Sequence, residues 1–516
     1  MIREGTDWTG DTTEACDVVV IGSGCGGATV ALSLAEQGHD VVVLERGGYY
    51  PAAALDQREL HALAKIDGGR GLDTSDDGSV QLTYGNNVGG ASVHYWADSY
   101  RTPADRLDEW RDRYGMQGHD EATLNPWFDR LEHDLRVQPA PDALVNEMNR
   151  RFHDGAVALG WAPHRVPQAR SGCVGSGFCM QGCSYDAKQS QLVTHLPRAI
   201  ELGARVYADL DATRLHWRDG GVEAVTAMVL DRATGRPRGP AVRIEARAVV
   251  VAAGGYGTPR FLLRQGLKES LPAVGEHLFC NPCPMAHATF DAPIDWHLGI
   301  PAAWGVDRFR RATYAPDPAG DRYVEGGYLL MPNQLHPAML AAVASLPPDE
   351  LRRRLRAFRH TGGAIAWIDD HERGRMTLEP GGATRLSVWL RGQNALRIRD
   401  AWRKQAQLLL AAGAREVWFG DVGDTRITTP DAIDAAVAAL DLRPARSVLA
   451  APHPGGGARM GPPDGSSVVG FDHRVHGTRN LYVADPSVFP SAPSVDPSLT
   501  IMAFAYVAAA AVHAAL

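Results

Sequence analysis

The sequence predicts an α/β protein. A Rossmann-like dinucleotide domain is interleaved with an α+β domain of antiparallel sheet and helices. Three observations carry this. Residues 17–47 read as strand, glycine turn, helix, strand and acid in one unit. Two distant stretches, 245–263 and 480–490, look like further strands of the same sheet. The chain has 516 residues, 45% of them hydrophobic, enough for a large core shared by two intertwined domains.

The first unit is "DVVVIGSGCGGATVALSLAEQGHDVVVLERG". Val18–Ile21 form a buried strand that runs into Gly22, Gly24 and Gly27. These glycines permit a tight turn and let backbone N–H groups approach a pyrophosphate at the helix N-terminus. Ala28, Ala31, Leu32, Leu34 and Ala35 give the helix its apolar positions, and the second strand ends in Glu45. Glu45 lies 18 residues after Gly27, where an acid can accept hydrogen bonds from a ribose. The fingerprint occurs once, so there is no second nicotinamide module of this kind. A nucleotide domain assembled from the start, middle and end of a long chain suits a flavin better than NAD.

Other features bound the function. A net charge of −8 gives no footprint for nucleic acid. The N-terminus has no apolar signal region, which predicts a cytoplasmic protein. The final apolar segment, 499–516, is short of the roughly 20 residues of a membrane span and reads as a buried helix. Seven cysteines do not suggest a disulfide framework. The run "LRRRLRAFRH" (351–360) reads as a solvated helix face. Asp496, before Pro497 and an apolar helix, has two readings: a helix N-cap, or a carboxylate in an active site.

The chain resembles the glucose-methanol-choline (GMC) flavin oxidoreductases over nearly its whole length. The resemblance is carried by the fingerprint and by "GNNVGGASVHYW" (85–96) and "VVVAAGGYGTPRFLL" (249–263). "HPGGGARMG" (453–461), "NLYVADPSVFP" (480–490) and "SVDPSLTI" (494–501) complete it. It implies FAD and oxidation of a small-molecule alcohol (a sugar, amino sugar, polyol or fatty alcohol) to aldehyde or ketone by hydride transfer to flavin N5, with oxygen or another acceptor taking the electrons. It also implies an FAD domain of residues 1–105, 196–285 and 441–516 and a substrate domain of residues 106–195 and 286–440.

Carried over residue by residue, the resemblance makes His453 the base. An alcohol is too weak an acid to ionise alone, and histidine suits proton removal near neutral pH. Asp496 stands where the family usually has Asn or His beside that base. Gly89, Gly90 and Ser92 would approach the cofactor. His94 would be joined covalently to the flavin or packed against its dimethylbenzene ring. Arg46, Val206, Asp485 and Pro497 complete the expected cofactor contacts. Cys173, Cys179 and Cys183, spaced C-x5-C-x3-C, match the ligands of an iron–sulfur cluster in some sugar dehydrogenases; the other reading is a structural loop. Trp304, Tyr314, Tyr323, Tyr328, Trp367 and Trp389 are candidate pocket aromatics. Two alternatives stand beside alcohol oxidation: a non-redox lyase on the same fold, and a cofactor-holding binding protein.

Overall fold

The computed structural model describes residues 1–318 and 320–516. An eight-stranded sheet organises the first layer system. Its order is Ile2–Arg3, Arg205–Tyr207, Val41–Leu44, Thr12–Ile21, Pro237–Val251, Gly221–Leu230, Leu210–Arg218, and Leu481–Val483 also pairs with Pro237–Val251. The first five strands and Leu481–Val483 are parallel, in a register that sets Val18 opposite Val41 and Val251 opposite both Ile21 and Val483. Both faces of this parallel core are covered, and its central strands carry buried runs of valine at 18–20, 41–43 and 249–251. The remaining two strands close an antiparallel meander.

The helix Cys25–Glu36 follows the first glycine turn and is buried along most of its length. A Cβ on Gly27 would sit 2.0 Å from the Gly22 carbonyl, so the turn closes only around glycine. The C-terminal helix Ser498–Ala515 packs on it. That helix is long and apolar enough to cross a membrane, but 67% of it is buried inside the protein.

The second sheet is antiparallel and five-stranded, in the order Tyr328–Pro332, Thr361–Ile368, Met285–Thr289, Glu416–Trp418, Arg426–Ile427. Helices Glu147–Ala158 and Gly392–Ala411 pack against it. Side chains alternate along a strand, so Ile365 and Trp367 share one face of Thr361–Ile368. Both line the cavity between the two sheets.

Two expectations change here. The arginine-rich run forms helix Pro348–Arg356, but it is not wholly solvated. Arg354 is 1% exposed; it pairs with Glu350 and Glu416, and its guanidinium lies 4.5 Å over the Trp418 ring. Paired charge and an aromatic face make that burial tolerable. Val206 lies inside the parallel sheet, paired to Ile2 and Val43, and faces no cavity. The strand next in sequence, Leu210–Arg218, presents Asp211, Ala212 and Thr213 to the cavity instead.

Candidate active site

A cavity of about 400 Å³ opens at the carboxyl ends of the parallel strands. Gly22, Gly24, Glu45, Arg46, Gly90, Ser92, His94, His453, Asp485, Asp496 and Pro497 all line it. Gly27 and Gly89 stand behind the lining and shape the turns. Gly89 has φ +95°, and its N–H donates to Ser23 Oγ at 3.0 Å. Segment 89–92 crosses the glycine turn so closely that a Cβ on Gly90 would lie 2.6 Å from Gly24 Cα.

The acids at this end are held by hydrogen bonds. Glu45 is buried and accepts from Ser23 N–H (3.1 Å), Ser23 Oγ (2.6 Å) and Gly47 N–H (2.8 Å). Burial raises its pKa, and these bonds oppose the rise. Asp485 accepts from Gly254 N–H (2.9 Å), Ser487 N–H (2.8 Å) and the Thr258 hydroxyl, joining the middle and C-terminal segments at the cavity. The Ser92 hydroxyl donates to Gly89 O (2.6 Å) and accepts from Gln191 N–H (2.9 Å), so it shapes the turn. His94 is buried, and among the described residues its Nε2 has no hydrogen-bond partner. Burial, and then the charge of Lys188, pull its pKa down to about 3, so the ring is neutral.

His453 sits between two residues that define its chemistry. Its Nδ1 lies 3.0 Å from Asn281 Oδ1. Asn281 is itself pinned, its Nδ2 donating to Ile368 O (2.5 Å) and its backbone N–H to Asp370 Oδ1 (2.7 Å). The amide therefore offers His453 an acceptor. The imidazole proton belongs on Nδ1, and Nε2 carries the lone pair. Nε2 faces Asp496 Oδ1 at 3.5 Å. Burial lowers the His453 pKa to about 3. Trp367 leans on the ring, with centroids 4.8 Å apart.

Asp496 is not a helix cap. Pro497 takes the N-cap position with helical dihedrals, and no side chain caps the helix. The Asp496 carboxyl turns to His453, and its buried Oδ2 has no hydrogen-bond partner among the described residues. Burial, then the nearby Asp98 charge, hold its pKa well above the usual carboxylate range. Asp98 also lines the cavity and is raised to about 7, by burial.

The three loop cysteines are not brought together as ligands. Cys173 packs against a small cluster with Val145 and Ile300; Cys179 is buried in the second core; Cys183 is partly exposed. Among the described residues no three His, Cys, Asp or Glu side chains could hold a metal ion.

Two residues at the site carry no sequence signal, Asn281 behind His453 and Asn333 on the cavity wall. Asn281 is an asparagine before a proline, held at φ +53°. Asn333 is 1% exposed and lines the cavity, and among the described residues neither amide atom has a hydrogen-bond partner. Of the six candidate pocket aromatics only Trp367 lines the cavity, joined there by Tyr84, Tyr95 and Trp96. The glycine cradle, the helix N-terminus, Arg46, Arg260 and the unpartnered His94 Nε2 fit FAD.

The comparisons agree. The GMC oxidoreductase family profiles match residues 17–283 and 370–505. An uncharacterised GMC-type oxidoreductase of Mycobacterium tuberculosis is 31% identical, over 95% of this chain and 74% of that protein. A long-chain-alcohol oxidase of Arabidopsis thaliana is 26% identical, covering 95% of this chain and 67% of its own. A 2-methyl-1,2-propanediol dehydrogenase of Mycolicibacterium austroafricanum is 24% identical, covering 96% and 94%. The crystal structure of a pyridoxine 4-oxidase from Mesorbium loti shares the fold, with TM-score 0.71 at 16% identity over 97% of this chain and 99% of that one. The chain belongs to the GMC oxidoreductase family and is an FAD-dependent oxidoreductase.

Proposed function

We propose that the protein oxidises an alcohol with an apolar body to its aldehyde or ketone, with His453 as the base. The observation that carries this is the contact between Asn281 Oδ1 and His453 Nδ1, which leaves an unprotonated Nε2 directed at the cavity. Nε2 takes the hydroxyl proton, and the new positive charge on the ring is supported by the Asn281 oxygen. FAD, when bound, supplies the two-electron acceptor for the hydrogen on the alcohol carbon. Asp496, kept neutral by burial, presents an O–H donor to the substrate oxygen, the service an amide would give. That explains how an acid stands at this position without opposing the chemistry.

The substrate class follows from the walls. Met180, Met285, Leu335, Met339, Val343, Ile365 and Trp367 line the cavity on the second-sheet side. They offer carbon and sulfur surface, and Asn333 is the exception among them. Such walls favour a hydrocarbon chain or ring over a sugar. Two relatives named for alcohol oxidation support the reaction type. The test is anaerobic addition of primary alcohols to the yellow holoprotein. The visible flavin band bleaches and one carbonyl forms per flavin; a flavin that no alcohol bleaches would point to non-redox chemistry.

A further inference from the structure

The loop 172–190 does not gather its cysteines, but it and the residues just before it carry two buried cations to the back of the cavity wall. Lys188 is 2% exposed, and its ammonium donates to the carbonyls of Val93 (2.6 Å), Tyr95 (3.0 Å) and Cys179 (2.6 Å). Arg170 is 6% exposed and donates to the Trp96 carbonyl, to Gln168 Oε1 (2.7 Å) and to Cys179 Sγ (3.3 Å). Among the described residues neither cation lies within salt-bridge distance of a carboxylate, although the buried Asp98 interacts with Arg170 through space. Three of the four carbonyls they hold belong to segment 93–96, whose His94, Tyr95 and Trp96 line the cavity.

Desolvating a cation is costly, and burial lowers the Lys188 pKa to about 8, which still leaves it mostly charged at neutral pH. Pinning carbonyls does not require one. Elsewhere in this protein the neutral amide of Asn146 donates to the carbonyls of Trp296, Leu298 and Ile300. What the amide lacks is charge. The Lys188 charge also reaches the cavity, since it adds to the burial that keeps His94 neutral.

We infer that Lys188, assisted by Arg170, is a positioning residue for the cofactor that supports the negative charge FAD gains on reduction and so makes it easier to reduce. The charge balance requires such support. The alcohol's C–H bond breaks with its electron pair, and its O–H proton goes to His453. The cofactor thus receives two electrons with one proton, and one net negative charge. A buried unit charge nearby shifts such an equilibrium roughly tenfold or more. The inference rests on FAD in this cavity and is independent of the alcohol's identity.

The test uses holoprotein without any alcohol. The flavin midpoint potential is measured by anaerobic equilibration with a reference dye, and sulfite affinity by titration, because sulfite adds to the oxidised ring as an anion. Lys188→Met should lower the potential by about 30 mV or more, which is tenfold for a two-electron couple, and weaken sulfite binding correspondingly. Lys188→Arg, which keeps the charge, should remain close to the wild type. Equal values for Lys188→Met and the wild type would overturn the proposal, and so would an equal fall in the Met and Arg variants. If Lys188→Met does not retain FAD, Arg170→Gln carries the same measurement. Loss of FAD from both would assign the pair to building segment 93–96 alone and overturn the electrostatic role.

Discussion

Asn281 Oδ1 and His453 Nδ1 lie 3.0 Å apart, and this contact decides which imidazole nitrogen can act as a base. Asn281 reaches His453 because its other amide atom and its backbone N–H are already committed to Ile368 and Asp370. Asn281→Gly removes the amide while accepting the positive φ. Hydrogen bonds to groups that become charged contribute about 1.5–3 kcal/mol. The variant should therefore keep FAD and reduce it with alcohol roughly 10- to 100-fold more slowly, measured in anaerobic stopped flow.

The pH profile should lack the usual histidine limb. His453 is pulled down to about 3 by burial, so it stays unprotonated and competent well below pH 6.5 and is lost only as pH falls toward that value. Asp496 shifts the other way: it remains protonated where ordinary carboxyls ionise, and its donor is lost as pH rises through its raised pKa. In Asp496→Asn the donor is permanent. The alkaline fall in the rate of flavin reduction should then disappear; a fall unchanged in the variant would show that Asp496 does not provide the donor.

Chain length should matter. Each methylene buried against the methionine-rich wall contributes up to about 0.8 kcal/mol, roughly a fourfold gain in kcat/KM per carbon. Across primary alkanols from butanol to decanol the ratio should climb, and Val343→Asp should flatten the climb while leaving butanol little changed. A flat series in the wild type would remove the apolar substrate class and leave His453 chemistry standing.

Much of the cofactor end was legible because its residues act through local spacing. Gly22, Gly24, Gly27 and Glu45 belong to one short unit, and their positions follow from strand and helix geometry. The place of His453 on the cavity was legible from its motif. Asn281 and Asn333 were not, because Asn281 meets His453 and Asn333 meets the cavity through tertiary contacts that have no sequence period. Asp496 reads as a cap from its neighbour Pro497, yet the helix starts one residue later than that reading requires, and the carboxyl is free to turn inward. Val206 lies one strand away from the residues that face the cavity. The cysteine spacing misleads for a related reason: the loop directs Cys173 and Cys179 into separate apolar clusters.

Acid should unfold the protein early. His195, His287 and His473 are fully buried and lowered to about 3 by burial, and His119 to about 4. They are neutral in the fold, whereas the unfolded chain takes up protons below about pH 6.5. Stability is therefore intact above that pH and lost as pH falls, by at most about 1.4 kcal/mol per pH unit for each histidine. The melting temperature should drop steeply between pH 6.5 and 5, and His287→Phe should shallow that drop. A melting temperature indifferent to pH in this window would contradict the burial of these rings.

The central claim is that His453 takes the alcohol proton, and the rate of anaerobic flavin bleaching in His453→Ala tests it most directly. With FAD still bound, a primary alcohol should reduce the variant roughly 10²–10⁴-fold more slowly than the wild type, the usual worth of a positioned base. Bleaching at a rate near the wild type would contradict the account.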